Sequence, residues 1–334
     1  ISTFGNINMY ASYLSISIPV LLAVFAFCKN WFSRILSGIL LIAAGCNILI
    51  ANSDSVFLGI FAGVVVVTIL AFMQGRLRYS SFAVFLLFVG NLVLGFINKY
   101  GHTRYDKKRG GLAIALNRLD IAFVLCGAAL LVFAVVCVCN WKLGTRVAAW
   151  NKKKIVLIVC GACVALGVIG IIVLAVTGSS LLTFNDKWGS YRGYIWRKIV
   201  EVYGDAPFVN KLFGYGNESV RVTLKAACYN EMVQVTGKVY DNAHNELLQY
   251  LFTTGIVGLL SYLALVGSSI VYMFKHAKEH AWISVCLAAT VGYFAQSILN
   301  LNQPITTPLF FVFMAMGVGT VNYCRRVKEL EKRA

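Results

Sequence analysis

Two short runs carry the residue types that do chemistry in this chain. The first is Tyr191-Arg192-Gly193-Tyr194-Ile195-Trp196-Arg197-Lys198, in which guanidinium groups sit among aromatic rings. A guanidinium presents a planar fork of donors that matches phosphate and carboxylate oxygens. The second is Asp241-Asn242-Ala243-His244-Asn245-Glu246, which leads straight into an apolar stretch beginning near Leu247. Histidine is the side chain whose ordinary pKa, about 6.5, lets it accept and release protons near neutral pH. The plain alternative for His244 is a helix-start residue with a solvated ring. Between the two runs lies Gly214-Tyr215-Gly216, a tight turn whose small residues would let backbone approach a ligand. A lone GxG is weak evidence by itself.

These runs need elements to hold them, and the polar stretch 178–258 has the spacing to supply them. Tyr191, Ile195, Ile199 and Val202 recur at helical intervals, with Arg192, Arg197, Lys198 and Glu201 on other faces. The pattern predicts an amphipathic helix lying on a membrane and ended by Asp205-Ala206-Pro207. Asp241 or Asn242 reads as the N-cap of the next helix, which places His244 in its first turn.

The rest of the chain is apolar. It has 334 residues, 59% of them hydrophobic and only 13% charged, and a mean hydropathy of +0.75. Such a composition excludes a soluble globular domain and points to an all-α polytopic membrane protein. A hydrocarbon core about 30 Å thick takes about 20 apolar residues to cross. About nine runs qualify: 10–28, 34–51, 55–73, 80–97, 119–139, 155–177, 246–274, 281–299 and 308–323. The first shows no secretory leader pattern and the sequence starts at Ile1, so further helices are expected upstream. Sixteen of the 30 Lys and Arg residues fall in alternate connections and in the tail, which places those segments inside and 178–243 outside. The expected organisation is an N-terminal bundle over 1–177, an extracytoplasmic loop over 178–243, and C-terminal helices with a basic tail over 244–334.

One outer connection, 99–118, breaks the charge rule. Lys99, Arg104, Lys107, Lys108, Arg109 and Arg118 accompany a single acid, Asp106. The loop reads either as a binder of anionic headgroups or as a phosphate-binding wall; nucleic acid is a poor fit, because no binding motif surrounds it. Nine of the ten cysteines fall in or beside spans and act as small hydrophobes. Cys228 alone lies in the outer stretch, so no disulfide framework is expected, and Cys160-Gly161-Ala162-Cys163 has no His or acid nearby. The spans lack the buried charges of a proton relay, which lowers a carrier or transporter below an enzyme.

Arg192 four residues before Trp196, Pro207 ahead of Gly214 and Gly216, then His244-Asn245, Leu248, Gly255-Ile256 and Gly258-Leu259 form an ordered set. In order, spacing and topological side this set resembles the O-antigen ligase and O-antigen polymerase family of bacterial membrane glycosyltransferases. The likeness covers about 80 residues strongly, and Gly5-Asn6-x-Asn8 ahead of the first span is also similar.

The resemblance implies a helical, C-type glycosyltransferase of the bacterial plasma membrane with an extracytoplasmic site and no cofactor or metal. Its donor is a polyprenyl diphosphate-linked oligosaccharide and its acceptor a glycan or lipid-linked molecule; membrane lipid is the other partner, and nucleic acid is not one. By the same likeness His244 is the catalytic base and Arg192 the diphosphate contact. Tyr191, Trp196, Arg197, Gly214, Gly216 and Asn245 would line the substrate site. One departure stands out. Many members carry a Ser-Arg pair at the outer start of an earlier span, and the corresponding stretch 52–59 has no arginine. Arg118, Arg109 or Lys108 then becomes the expected second phosphate contact. No Asp-x-Asp pair is present, so metal-independent, inverting transfer fits best. A polymerase of polysaccharide repeat units is the leading expectation, ahead of ligase-type transfer of a finished glycan and of a non-enzymatic lipid-glycan carrier.

Overall fold

The computed structural model describes residues 6–51, 53–100, 118–148, 155–156 and 185–333. Among these residues the chain is helical, with eleven helices, seven of them long and apolar enough to cross a membrane. Of the nine expected spans, one is a shorter helix and one lies almost wholly outside the described residues. Residues 281–297 form a helix of 17 residues, shorter than the other spans. The run 155–177 falls almost wholly outside the described residues, as do Lys108, Arg109 and the Cys160/Cys163 pair.

The chain divides into two compact units, 1–150 with 266–334 and 151–265. In the first, α1 (Ile7–Phe27), α2 (Trp31–Ala51), α3 (Asp54–Met73), α4 (Leu77–Tyr100) and α5 (Leu119–Ala148) pack as neighbours. They are joined by the later part of α9 (Glu246–His276), by α10 (Ala281–Ser297) and by α11 (Thr307–Glu331). Apolar side chains gain little from leaving lipid, so helices here associate through close packing and polar contacts. Gly59 of α3 packs against Ser15 of α1 and the Gly292 carbonyl, and Gly292 of α10 against the Ser15 carbonyl and Pro19, so closely that a Cβ on either would run into backbone. Ser12 and Asn8 of α1 hold the end of α10: Gln296 donates to Ser12 Oγ at 3.0 Å and Asn300 to the Asn8 carbonyl at 3.2 Å. Asn6 caps α1 by accepting from the Asn8 amide at 2.8 Å, which gives the Asn6-x-Asn8 pattern a structural reason.

The second unit contains α6 (Trp188–Gly204), α7 (Phe208–Phe213), α8 (Ser219–Thr236) and the first part of α9. The expected amphipathic helix is present as α6, and it ends at Asp205 as the sequence implies. Its apolar face does not lie free for a membrane. Tyr194, Ile195 and Ile199 are fully buried in a core with Val220, Leu224, Met232, Tyr240, Ala243 and Phe252. Amphipathic spacing shows that a face is buried, and here protein buries it.

Candidate active site

The site is built from the start of α6, the turn after α7 and the entry into α9. Gly189, Ser190 and Tyr191 take left-handed backbone angles, with φ of 57°, 60° and 71°, so the regular part of α6 opens at Arg192. Tyr240 donates its hydroxyl to the Ser190 carbonyl at 3.0 Å, which fixes this unusual turn from the segment leading to His244. Gly193 lies against the Asn185 carbonyl so closely that no side chain fits. Arg192 is therefore held at the first turn of a helix packed on both sides.

The helix starts three or four residues later than the capping pattern implies, so His244 lies before it instead of in its first turn. Asn245 accepts from the Leu248 amide at 3.0 Å and is the residue that caps α9, which begins at Glu246. Asp241 and Asn242 do not cap it, and Asn242 instead accepts from the His244 amide at 3.1 Å. His244 thus stands just outside the helix with φ of 47°, a left-handed conformation rare for a residue with a side chain. Strained backbone of this kind is retained when surrounding contacts over-determine it, and it concentrates at functional sites. Those contacts are on both flanks. Ala243 donates its amide to Gln249 Oε1 at 3.0 Å, and its carbonyl accepts the Trp196 indole N–H at 2.8 Å.

The imidazole meets the Tyr240 ring edge-on, with centroids 5.8 Å apart. Its Nδ1 is buried with no hydrogen-bond partner. Burial pushes the His244 pKa down, the Arg192 guanidinium pushes it the same way, and Lys238 adds to this against the opposing pull of Asp241, leaving it at about 4. The partial positive charge at the start of α9 acts in the same direction. At neutral pH the ring is uncharged and able to accept a proton. Burial is the larger cause and the guanidinium the second, so an anion bound at Arg192 would relieve part of the depression and strengthen the base.

The two glycines of Gly214-Tyr215-Gly216 have different surroundings. Gly214 has φ of 76° and its open side is filled by the backbone of Thr253 and Thr254, while Gly255, φ 69°, is filled in turn by Leu212 and Phe213. The close approach expected for a ligand at Gly214 is made by α9. The helix is broken at Gly255, and the carbonyls of Phe252 and Thr253 accept the amides of Tyr215 and Gly216 at 3.0 and 2.9 Å. Only Gly216 faces open space. The turn is a splice between α7 and α9, and its glycines are needed because backbone meets backbone there.

The remaining expected residues separate by partner. Arg197 faces Asp186 at 2.9 Å, Glu201 at 3.7 Å and Glu231 at 3.9 Å, so its charge is shared among three carboxylates. Lys198 joins the same group through Glu231 at 2.9 Å. Trp196 positions Ala243 and packs on Trp188, with centroids 5.2 Å apart. Tyr191 packs against the core of this unit. Arg118 belongs to the other unit, where it binds Asp120 with two donors at 3.2 and 2.7 Å. Tyr240, Gln249 and Lys238 fix or charge the surroundings of His244, and no motif in the sequence marks them. Among the described residues no group of three His, Cys, Asp or Glu side chains converges as a metal ion requires.

The last residue of the His244 run has a structural part of its own. Glu246 is fully buried at the first helical position, where a carboxylate complements the helix dipole, and accepts from the Tyr262 hydroxyl at 3.0 Å. Tyr262 stacks on Tyr250 at 4.2 Å, so this contact braces the start of the helix that follows His244.

A search of curated proteins finds no match. Residues 109–263, which include Arg192, the glycine turn and His244, match the family model described as O-antigen ligase, and this part of the chain is similar to the family that the ordered set of residues resembles.

Proposed function

We propose that the protein transfers a glycan from a polyprenyl diphosphate-linked donor to an acceptor hydroxyl in the synthesis of a surface polysaccharide. The observation that carries this reading is His244 itself: a neutral imidazole in a strained conformation outside a helix start, within the field of Arg192. In the proposed step the acceptor hydroxyl gives its proton to the imidazole as its oxygen bonds to the anomeric carbon of the donor. The bond from that carbon to the diphosphate oxygen breaks, and attack from the opposite face inverts the configuration. The departing diphosphate carries the negative charge, which Arg192 stabilises through charge-assisted hydrogen bonds.

Metal-independent transfer is part of this reading, since guanidinium groups take the charge-stabilising part that a divalent ion has elsewhere. Binding of the diphosphate offsets the Arg192 charge and raises the His244 pKa from about 4 toward its ordinary range, so the base gains strength when the donor is in place. The extracytoplasmic face of a bacterial plasma membrane is the proposed location.

Joining of repeat units, with lipid diphosphates as both donor and acceptor, is the favoured form. Transfer of a finished glycan to a lipid or protein acceptor is the second, and the description of the matching family favours it. Reconstitution with lipid-linked repeat units separates the two. A ladder of longer lipid-linked products supports polymerisation, whereas product only on an added acceptor supports ligation.

A further inference from the structure

In the larger unit a cavity of about 560 Å³ opens where three short connections converge. These are 28–30 between α1 and α2, 74–76 between α3 and α4, and 277–280 between α9 and α10. Lys29, Arg76 and Lys278 line it, and among the described residues none of the three has a carboxylate within ion-pair distance. The single acid in the wall, Glu279, is held by Lys328 at 3.1 Å. Three like charges around one cavity repel one another unless an anion joins them.

Two helices also begin at this cavity. Asn30 accepts from the Phe32 amide at 2.9 Å at the start of α2, and His280 accepts from the Trp282 amide at 3.3 Å at the start of α10. Each start adds partial positive charge. Arg76 donates one nitrogen to the carbonyls of Ala26 and Phe27 at 3.2 and 2.8 Å, which anchors its guanidinium against the end of α1. The alternation of charged connections requires cations in these loops; it does not require them to converge without acids on one cavity and two helix starts.

We propose that this cavity binds the phosphate headgroup of an anionic phospholipid. A free phosphate would meet the same cations. The lipid is favoured by the exposed aromatic side chains at the two helix starts, Trp31 and Phe32 on α2 and Trp282 on α10. Such rings settle at headgroup level, and Trp282 lines the cavity itself. The site is independent of the transfer reaction.

The test is native mass spectrometry of the full chain in detergent, with phosphatidylglycerol and phosphatidylcholine offered together. The expected result is preferential retention of phosphatidylglycerol, reduced roughly tenfold or more in Lys29→Gln/Lys278→Gln, in line with loss of charge-assisted contacts. The double variant Arg326→Gln/Lys332→Gln, which removes tail cations, should leave the preference intact. Equal retention of the two lipids by the unaltered chain overturns the proposal without recourse to any variant. So does equal loss in the tail variant, or full displacement of phosphatidylglycerol by millimolar inorganic phosphate.

Discussion

The indole N–H of Trp196 donates to the carbonyl of Ala243 at 2.8 Å, and this one bond joins the helix of Arg192 to the residue preceding His244. It connects two segments far apart in sequence at the point where their side chains must act together. Trp196→Phe keeps a ring and removes the donor. The expected outcome is a loss of about 1 kcal/mol in stability, with a larger fall in glycan transfer because the base and the guanidinium lose their registration. Thermal unfolding and transfer rate, measured on the same preparation, check the split.

Arg192 and Arg197 lie on neighbouring turns of one helix and should behave differently. Arg197 is half exposed among three carboxylates, and exposed ion pairs contribute about 0–1 kcal/mol each. Arg197→Gln is therefore expected to cost little stability and to retain most activity. Arg192→Lys keeps the charge and loses the fork, and transfer should fall by an order of magnitude or more. Parallel transfer assays decide this; equal effects would count against Arg192 as the diphosphate contact.

The glycines rank themselves by what faces them. Gly214→Ala and Gly255→Ala each combine a positive φ with backbone on the open side, and a cost of a few kcal/mol is expected for each. Gly216→Ala meets open space, so only the conformational cost of about 1 kcal/mol applies. Midpoints of thermal unfolding should fall in that order.

The membrane bundle is legible in the sequence because an apolar run of fixed length has few alternatives: the described spans from α1 to α5 begin and end close to the runs that suggest them. The site is legible in type and less so in geometry. Asp241, Asn242 and Asn245 are all competent caps, and propensity cannot choose among them; the choice of Asn245 puts His244 outside the helix. Gly214 signals close approach, yet nothing local says that the approaching group is the Thr253 backbone. The resemblance sets Arg192 apart from Arg197, whereas the carboxylates gathered around Arg197, Asp186 and Glu231 among them, come together only through tertiary placement. The apolar face of α6 is evident at helical intervals, whereas its burial by protein depends on residues of α8 and Tyr240 distant in sequence.

The depressed His244 pKa has a sign that pH can read. The folded imidazole refuses a proton down to about 4, while the unfolded one accepts it near 6.5. Below about 6.5 the unfolded state binds more protons, so stability is full above that value and falls as pH drops toward 4. His244→Gln should flatten the acid side of the stability profile in this window. In the transfer assay the acid limb of kcat should lie at higher pH than that of kcat/KM, because bound diphosphate raises the base pKa.

The most direct measurement is transfer by the full chain reconstituted in vesicles with lipid-linked repeat units, comparing the unaltered protein with His244→Ala and adding a chelator to each. Removing a positioned base costs about 10² to 10⁴ in rate. The expected result is loss of transfer of that size in His244→Ala, with insertion and donor binding retained and no effect of chelator on the unaltered protein. Full transfer by His244→Ala, or loss of transfer on chelation alone, would contradict the account.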